Sequence, residues 1–184
     1  MERLRMITET RGDLLDADVD ALVNTDNTVG VMGKGIALQF RRTYPDMFRD
    51  YARAAKAGEL RLGVMHVWPT GLLTGPRYVI NFPTKGHWRS SSRIDDIDRG
   101  LRDLVRVIEE LEIVSVAVPP LGCGNGGLDW AVVEPRVRAA LGDLSGVDVA
   151  LFPPVGAPPA ASMATVGDKP KMTPGRAALI DVMT

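Results

Sequence analysis

Short apolar runs rich in valine and isoleucine alternate along this chain with segments whose apolar residues recur at helical spacing. Such alternation predicts a layered α/β domain, because each helix covers the sheet that the neighbouring strands build. The predicted strands, about six in number, cover residues 4–8, 21–24, 64–68, 78–82, 114–118 and 147–152.

Four segments between these runs are predicted to be helical, at residues 35–42, 45–58, 94–111 and 130–141. The third is the clearest, since its apolar residues recur every three or four positions and form one stripe. Pro45 ends the first helix and begins the second, because the residue before a proline avoids helical backbone angles. Asp129 is placed as the N-cap of the last helix, and Pro135 is expected to bend or restart that helix.

The chain has 184 residues, a length typical of one domain, and 45% of them are hydrophobic, which is enough for a core. After Phe152 the sequence is rich in proline, alanine and glycine and has no period, as in a linker. We therefore expect one folded domain at residues 1–153, followed at 154–184 by a linker and the start of a truncated further domain.

Charge, cysteine content and hydropathy exclude several classes of function. The formal net charge is -1, so any contact with nucleic acid must come from a local patch. Cys123 is the single cysteine, which excludes an internal disulfide, and with two histidines it supplies none of the usual zinc ligand sets. The N-terminal residues include no apolar stretch long enough for a signal peptide, and no segment approaches the roughly 20 apolar residues of a membrane span. We expect a monomeric, cytoplasmic protein that does not bind a membrane and that uses neither a metal nor a redox cofactor.

Two glycine-rich segments each follow a predicted strand and open a predicted helix. The first, residues 29–36, reads VGVMGKGI; its glycines let the backbone approach a ligand, and a helix N-terminus attracts anions. It is not a Walker A loop, because the glycine spacing is too short and Lys34 is followed by glycine. The second, residues 119–128, reads PPLGCGNGGL and contains G-x-G-x-x-G, but a dinucleotide fold would need that motif at its first strand.

A single glycine loop is equally well explained as a tight connection between a strand and a helix. Two such loops, each at the carboxyl end of a strand, instead favour a cleft that grips two linked phosphates from both sides. The sequence therefore predicts an anion-binding cleft at one edge of the sheet.

The stretch NFPTKGHWR, residues 81–89, follows the apolar run of the fourth predicted strand. We expect Lys85 in the loop after this strand, facing the cleft, either as a phosphate-binding cation or as a nucleophile activated by burial. His87, Trp88 and Arg89 combine an aromatic ring with cations, which suits stacking on nucleic-acid bases. Alternatively, Trp88 covers the following helix and the arginine is solvated.

Together these segments resemble the macrodomain family. The resemblance covers about residues 4–153 and rests on GDLL at 12–15, ALVN at 21–24, GVMGKGIA at 30–37 and PPLGCGNGGLDW at 119–130. NFPTK at 81–85 and VPPLG at 118–122 are similar to the DarG branch, which is related to the terminal ADP-ribose protein glycohydrolase. The resemblance implies a three-layer α/β/α fold with a central mixed sheet and no cofactor.

Members of the DarG branch are antitoxins that remove ADP-ribose from bases of single-stranded DNA, where the partner toxin DarT places it. They also carry a second, toxin-binding domain. The resemblance thus implies a DNA ADP-ribosyl glycohydrolase that binds ADP-ribose and ADP-ribosylated single-stranded DNA, and that meets a DarT-type toxin through the missing C-terminal domain. Two alternatives stay open: a macrodomain that binds ADP-ribose without hydrolysis, and a hydrolase of protein-linked ADP-ribose.

The resemblance also assigns binding roles to individual residues. Asp13 accepts a hydrogen bond from the adenine amino group, although a role as a turn or cap residue alone also explains it, and the backbone N–H of Leu14 donates to the base. Asn24, Asn27 and Thr84 face the distal ribose, which carries the target. The residues that hold the two phosphates and this ribose are Val31, Met32, Gly33, Lys34, Gly35, Ile36, Pro119, Leu121, Gly122, Cys123, Gly124, Asn125, Gly126, Gly127 and Leu128.

For catalysis, Lys85 aligns with the lysine of the related glycohydrolase, which forms a Schiff base with the distal ribose. Asp129 aligns with the acidic residue that assists breakdown of that adduct, although an N-cap role alone also explains it. His87, Trp88 and Arg89 are the implied DNA contacts.

The chain departs from the family pattern in the segment that carries Asn24 and Asn27. The family usually reads N-T-x-N-C with an apolar or neutral polar residue in the middle. This chain has Asp26 in the middle and Thr28 in place of the cysteine.

Overall fold

The computed structural model describes residues 6–155. Most of the predicted linker and the start of a further domain lie outside the described residues, so the domain boundary at 153 stays a prediction. Within the described part of the chain, no helix is both long and apolar enough to cross a membrane. The same residues contain no group of three or more His, Cys, Asp or Glu side chains placed to hold a metal ion.

Every predicted strand and helix overlaps an observed one. The elements are β1 Met6–Glu9, a 3-10 turn Leu14–Asp16, β2 Ala21–Asn27, α1 Gly35–Thr43, α2 Pro45–Lys56, β3 His66–Pro69, β4 Tyr78–Lys85, α3 Ile94–Glu110, β5 Ser115–Val118, α4 Trp130–Gly142 and β6 Asp148–Leu151.

The six strands form one mixed sheet in the order β1-β6-β5-β2-β4-β3. β3 runs antiparallel to β4, and the other neighbouring pairs are parallel. Parallel neighbours need long crossover connections, and the helices of this chain supply them. The predicted α/β fold with a central mixed sheet is confirmed.

Each face of the sheet is covered by helices because side chains alternate along a strand. Val23 and Phe82 are fully buried on the face that α3 and α4 cover. The adjacent Leu22 is fully buried on the opposite face, in the cluster that holds side chains of α1 and α2. The result is the three-layer α/β/α arrangement.

Strands β2 and β4 are longer than the sequence predicted, so Lys85 is the last residue of β4 and does not lie in a loop. The prediction of a loop was wrong because strands are predicted from apolar or alternating runs, and Pro83, Thr84 and Lys85 form neither. The strand continues because the pairing shifts in register: Asp26 faces Pro83, whereas the next residue of β2, Asn27, faces Lys85. Thr84 is thereby the extra residue of a β-bulge, an irregularity that tolerates proline.

Of the two effects expected of Pro135, the restart of the last helix is not observed, because α4 runs as one helix through that residue, and the bend stays a prediction. A proline inside a helix removes a single backbone hydrogen bond. Val133 and Val137 on either side are fully buried, and this packing holds the helix together.

Gly100 lets α3 pack closely against the ring of Phe82, because a Cβ atom at this position would meet that ring. We predict that Gly100→Ala lowers the free energy of unfolding by about 1–3 kcal/mol, as overpacking of a filled core does. The measurement is urea denaturation. Gly142→Ala is the matched control in α4, where the nearest atom lies 4.0 Å away and alanine should be neutral or stabilising. Equal midpoints for wild type and Gly100→Ala would contradict the tight contact.

Candidate active site

The carboxyl ends of three neighbouring strands lie at one edge of the sheet. β5, β2 and β4 are adjacent and parallel, so the segments that follow them all begin at this edge. Open α/β sheets bind ligands in crevices of this kind. We name these segments loop A (residues 28–34), loop B (residues 86–93) and loop C (residues 119–129).

Loop A is fastened by the side chain of Asn27. Its Nδ2 donates to the carbonyl of Val31 at 2.7 Å, and its Oδ1 accepts from the N–H of the same residue at 3.1 Å. The hydroxyl of Tyr51 donates to the Asn27 carbonyl at 2.8 Å. Both ends of the amide are therefore engaged in shaping the loop, and the expected contact of Asn27 with a ribose stays a prediction.

The tip of loop A combines a buried anchor with exposed backbone. Met32 is fully buried, whereas Gly33, Lys34 and Gly35 are exposed at the start of α1. Lys34, the N-cap residue, makes no side-chain capping hydrogen bond. The first N–H groups of α1 thus point out of the helix with the positive end of its dipole, as an anion site requires.

Loop C is held in a compact shape by its own backbone. The N–H of Leu128 donates to the carbonyl of Gly122 at 2.9 Å, and the N–H of Gly127 donates to Gly124 at 3.2 Å. Gly122 and Gly127 have positive φ angles of 72° and 76°, which other residues rarely adopt. The loop therefore needs glycine at these two positions.

The first residue of α1, Gly35, directly follows loop A and approaches Asn125 of loop C. A Cβ atom built on Gly35 would lie 3.6 Å from Nδ2 of Asn125. Asn125 and its neighbour Gly124 are exposed, as is Lys34 on the other side. The two glycine loops that the sequence identified thus face one another, which is the arrangement expected for a diphosphate cleft.

Lys85 joins loops B and C. Its Nζ donates to the carbonyl of Trp88 at 3.0 Å and to the carbonyl of Asn125 at 3.3 Å, and the residue is 8% exposed. Burial lowers the pKa of Lys85, the negative charge of Asp26 opposes this, and the positive charge of Lys34 adds to it. A desolvated amine with a lowered pKa is the condition under which lysine acts as a nucleophile.

Thr84 and Asn24 lie beneath the cleft. The hydroxyl of Thr84 donates to the carbonyl of Asp26 at 3.2 Å. Asn24 is fully buried, and its Nδ2 donates to Oδ1 of Asn81 at 3.0 Å and contacts the sulfur of Met32 at 3.9 Å. Both side chains support the strands in this structure, and their expected contacts with the distal ribose stay predictions.

Asp13 and Leu14 lie at the 3-10 turn that follows β1. Oδ1 of Asp13 accepts from the N–H of Leu15 at 3.0 Å, so the carboxylate caps the turn. Leu14 is buried and Asp13 is exposed. The carboxylate of Asp13 is therefore accessible to a second hydrogen-bond donor, and its expected contact with adenine stays a prediction.

Cys123 and Asp129 have structural roles in loop C. The thiol of Cys123 donates to the carbonyl of Leu121 at 3.5 Å, and burial, with a smaller contribution from Asp129, raises its pKa to about 11. This thiol is protonated at neutral pH and is therefore a poor nucleophile. Asp129 caps α4, since its Oδ1 accepts from the N–H of Ala131 at 3.0 Å.

The aromatic and cationic residues of loop B form an exposed stack. The guanidinium of Arg89 lies 4.4 Å from the centroid of the Trp88 ring, and the rings of His87 and Trp88 stack with centroids 5.4 Å apart. Trp88 is 41% exposed. A half-exposed indole braced by a cation is a surface on which a nucleic-acid base can stack.

Asp26 is the residue that the sequence flagged only as a departure from the family pattern. It is 4% exposed, and its Oδ1 accepts from the N–H of Asn27 at 2.8 Å. Its Oδ2 is buried and has no hydrogen-bond partner among the described residues. The signal in the sequence was a carboxylate between two asparagines of the predicted site, at a position where the family pattern has an uncharged residue.

Comparison with known proteins identifies the fold and its branch. The Macro domain family matches residues 23–137. The chain is 56% identical over 179 residues to the "DNA ADP-ribosyl glycohydrolase" of Mycobacterium tuberculosis, which covers 97% of this chain and 50% of that protein. The chain thus spans about half the length of this relative.

Solved structures give the same result. The "Macrodomain of Mycobacterium tuberculosis DarG" has a TM-score of 0.81 and 61% identity, covering 82% of this chain and 99% of that one. "Thermosipho africanus DarTG in complex with ADP-ribose" has a TM-score of 0.72 and 34% identity, covering 77% of this chain and 40% of that one. With the three-layer fold and the facing glycine loops, these similarities show that the chain belongs to the macrodomain family, in the branch formed by the DarG macrodomains.

Proposed function

We propose that this chain binds ADP-ribose and hydrolyses its bond to bases of single-stranded DNA. The proposal is supported by the relative from Mycobacterium tuberculosis, whose name is "DNA ADP-ribosyl glycohydrolase". The Thermosipho africanus relative, whose solved structure contains ADP-ribose, is named as a fusion of a DNA ADP-ribosyl transferase with such a glycohydrolase. That fusion supports a DarT-type toxin as partner, bound through the further domain expected after residue 153.

The observation that carries the proposal is the position of the Lys85 amine. It lies where loops B and C meet, within hydrogen-bond distance of the carbonyls of Trp88 and Asn125. Loop A approaches Asn125 from the other side. An amine at this junction is beside the space that a ribose would fill once its diphosphate lies on the N–H groups of loops A and C.

The chemistry follows from the amine. Neutral Lys85 attacks the anomeric carbon of the distal ribose, and the bond to the base breaks with its electron pair passing to the base nitrogen, which is protonated. The ribose then opens to a Schiff base on Nζ, and one water molecule hydrolyses it to free ADP-ribose and lysine. Asp129, the last residue of loop C, is the proposed proton carrier for the second stage.

The remaining assignments follow from this placement. The phosphates lie on loops A and C, adenine lies against Asp13 and Leu14, and the base of the DNA lies toward Trp88. The loops of the cleft come from one chain, so one copy is sufficient to form the site and we expect the enzyme to act as a monomer. DNA as the substrate implies that it works in the cytoplasm.

Two variants of Lys85 test the covalent step. We predict that Lys85→Met and Lys85→Arg each reduce release of ADP-ribose from an ADP-ribosylated oligonucleotide by at least about 100-fold, because neither side chain can form the Schiff base. Arginine keeps the positive charge and methionine keeps an apolar stem, so together they separate charge from nucleophilicity. Calorimetry with free ADP-ribose should give binding within a few-fold of wild type for both. Near-normal turnover of Lys85→Arg would assign an electrostatic role, and near-normal turnover of both would contradict the lysine mechanism.

Variants of Asp129 separate proton transfer from capping. Asparagine caps a helix about as well as aspartate, so Asp129→Asn should keep the melting temperature of wild type and lose about tenfold or more in turnover. Asp129→Ala should lose turnover and, in addition, about 1 kcal/mol of stability. Wild-type turnover in the asparagine variant would show that Asp129 serves only as a cap.

The exposed stack of loop B generates a prediction about DNA. Trp88→Ala and Arg89→Ala should weaken binding to ADP-ribosylated oligonucleotide by about 5- to 150-fold, since stacking on one base contributes about 1–3 kcal/mol. The loss in Arg89→Ala should shrink as salt is raised, and affinity for free ADP-ribose should stay unchanged in both. Fluorescence anisotropy gives the first affinity and calorimetry the second. Arg106→Ala is the control, because Arg106 is an exposed arginine about three turns after the start of α3. A parallel fall in both affinities would point to misfolding instead.

A further inference from the structure

Thr28 stands where the family usually has a cysteine, and none of the roles above uses it. It is the first residue of loop A and directly follows β2, whose last residue, Asn27, pairs with Lys85 of β4. Its N–H donates to the carbonyl of Lys85 at 3.1 Å, and its hydroxyl donates to the carbonyl of Gly86 at 2.8 Å. The Thr28 side chain therefore supplies one further link where the backbone pairing of the two strands has ended.

Loop A holds Thr28 in a fixed place. On one side, the amide of Asn27 bonds both backbone groups of Val31. On the other side, the backbone at Gly30 packs against α2, since a Cβ atom built on Gly30 would lie 2.8 Å from the Cβ atom of Ala55. Threonine is also stiff at its first side-chain torsion because it is β-branched. The hydroxyl of Thr28 is thus a fixed donor for the neighbouring segment.

Loop B needs such a donor because it begins with a glycine. A Cβ atom built on Gly86 would have no neighbour within 4 Å, so packing does not fix the backbone at this permissive residue. The bond from the Thr28 hydroxyl fixes the direction of the Gly86 carbonyl instead. That peptide sets the angle at which loop B leaves the sheet, and with it the position of the Trp88 ring.

The amine of Lys85 depends on the same peptide. Its Nζ donates to the carbonyl of Trp88 at 3.0 Å, so the Lys85 side chain and the backbone of residues 86–88 form a closed ring. The Gly86 carbonyl that Thr28 holds belongs to this ring, and turning it would shift both the amine and the indole. A displacement of about 1 Å in an active site can reduce the rate about 100-fold.

The two ends of loop B are fastened to different loops. At its far end, the N–H of Ser92 donates to the carbonyl of Gly126 in loop C at 2.9 Å. At its start, the bond from Thr28 to Gly86 is the one hydrogen bond between loops A and B among the described residues. Thr28 is therefore the contact through which loop A can set the position of loop B.

We propose that Thr28 is a positioning residue, whose hydroxyl aligns loop B with loop A. Through the Gly86 carbonyl, it places the Lys85 amine against the distal ribose, and the Trp88 ring against the DNA base, of a substrate whose diphosphate lies on loop A. This inference rests on the function proposed above. The cysteine that the family usually has here is a weak hydrogen-bond donor, so threonine gives loop B a firmer anchor.

Thr28→Val tests the proposal because valine is β-branched like threonine and lacks the hydroxyl. We expect the rate of ADP-ribose release from an ADP-ribosylated oligonucleotide, under single-turnover conditions, to fall about 2- to 12-fold, the range that one hydrogen bond contributes. Calorimetry with free ADP-ribose should give the wild-type affinity, because loop A is unchanged. Thr28→Ser restores the hydroxyl and should return the rate to near that of wild type.

Thr70→Val is the matched control. The hydroxyl of Thr70 also donates to a backbone carbonyl, that of Pro76 at 2.5 Å, but in the connection that precedes β4. This variant should therefore leave the release of ADP-ribose unchanged. A wild-type rate in Thr28→Val, equal losses in Thr28→Val and Thr28→Ser, or a parallel loss of affinity for free ADP-ribose would each overturn the proposal.

Amide hydrogen exchange in the free protein separates this proposal from the proposed function. The N–H of Ser90 donates to the carbonyl of His87 at 2.9 Å within loop B, so its exchange reports how often the loop opens. Exchange at Ser90 should be about 2- to 12-fold faster in Thr28→Val, and unchanged in Thr28→Ser and Thr70→Val. Equal exchange in wild type and Thr28→Val would overturn the anchor. Faster exchange in a protein that releases no ADP-ribose from DNA would instead keep the anchor and reject the glycohydrolase.

Discussion

The parallel pairing of β2 with β4 and β5 is the constraint on which the site depends. It places three carboxyl strand ends side by side, and each end leads into a loop that contributes to the cleft. The apolar residues of these strands fix the pairing, because a slip of one residue would turn Leu22 and Val23 to the wrong faces. Packing of the core therefore determines the distance between the glycine loops.

Within this frame, polar side chains hold the loops before any ligand arrives. Asn27 binds both backbone groups of Val31, and Lys85 binds carbonyls of loops B and C. Loops ordered in this way lose little further conformational entropy when they bind, which increases affinity for a given set of contacts. The same residues that a sequence motif marks as ligand contacts thus also build the empty site.

The sequence was sufficient to predict the layers, the order of the elements and the two glycine loops. These features depend on the spacing of apolar residues and on the positions of glycine and proline. It was insufficient where polar residues continue a strand. Pro83, Thr84 and Lys85 were predicted as a loop because strand propensity describes apolar or alternating runs, whereas here cross-strand pairing with Asp26 and Asn27 extends β4. Asn24 is likewise a polar residue whose partner, Asn81, is distant in sequence, and only the fold brings the two together.

The charge state of the cleft connects binding to chemistry. Desolvation favours neutral forms of both Asp26 and Lys85, and a bound ADP-ribose would remove further water from the junction of the loops. Lys34 is exposed on loop A and can neutralise the diphosphate, so the negative charge of the ligand need not hold Lys85 as an ammonium. Binding of the substrate would then itself favour the neutral amine of Lys85, the form that attacks the anomeric carbon, because removal of water disfavours the charged form.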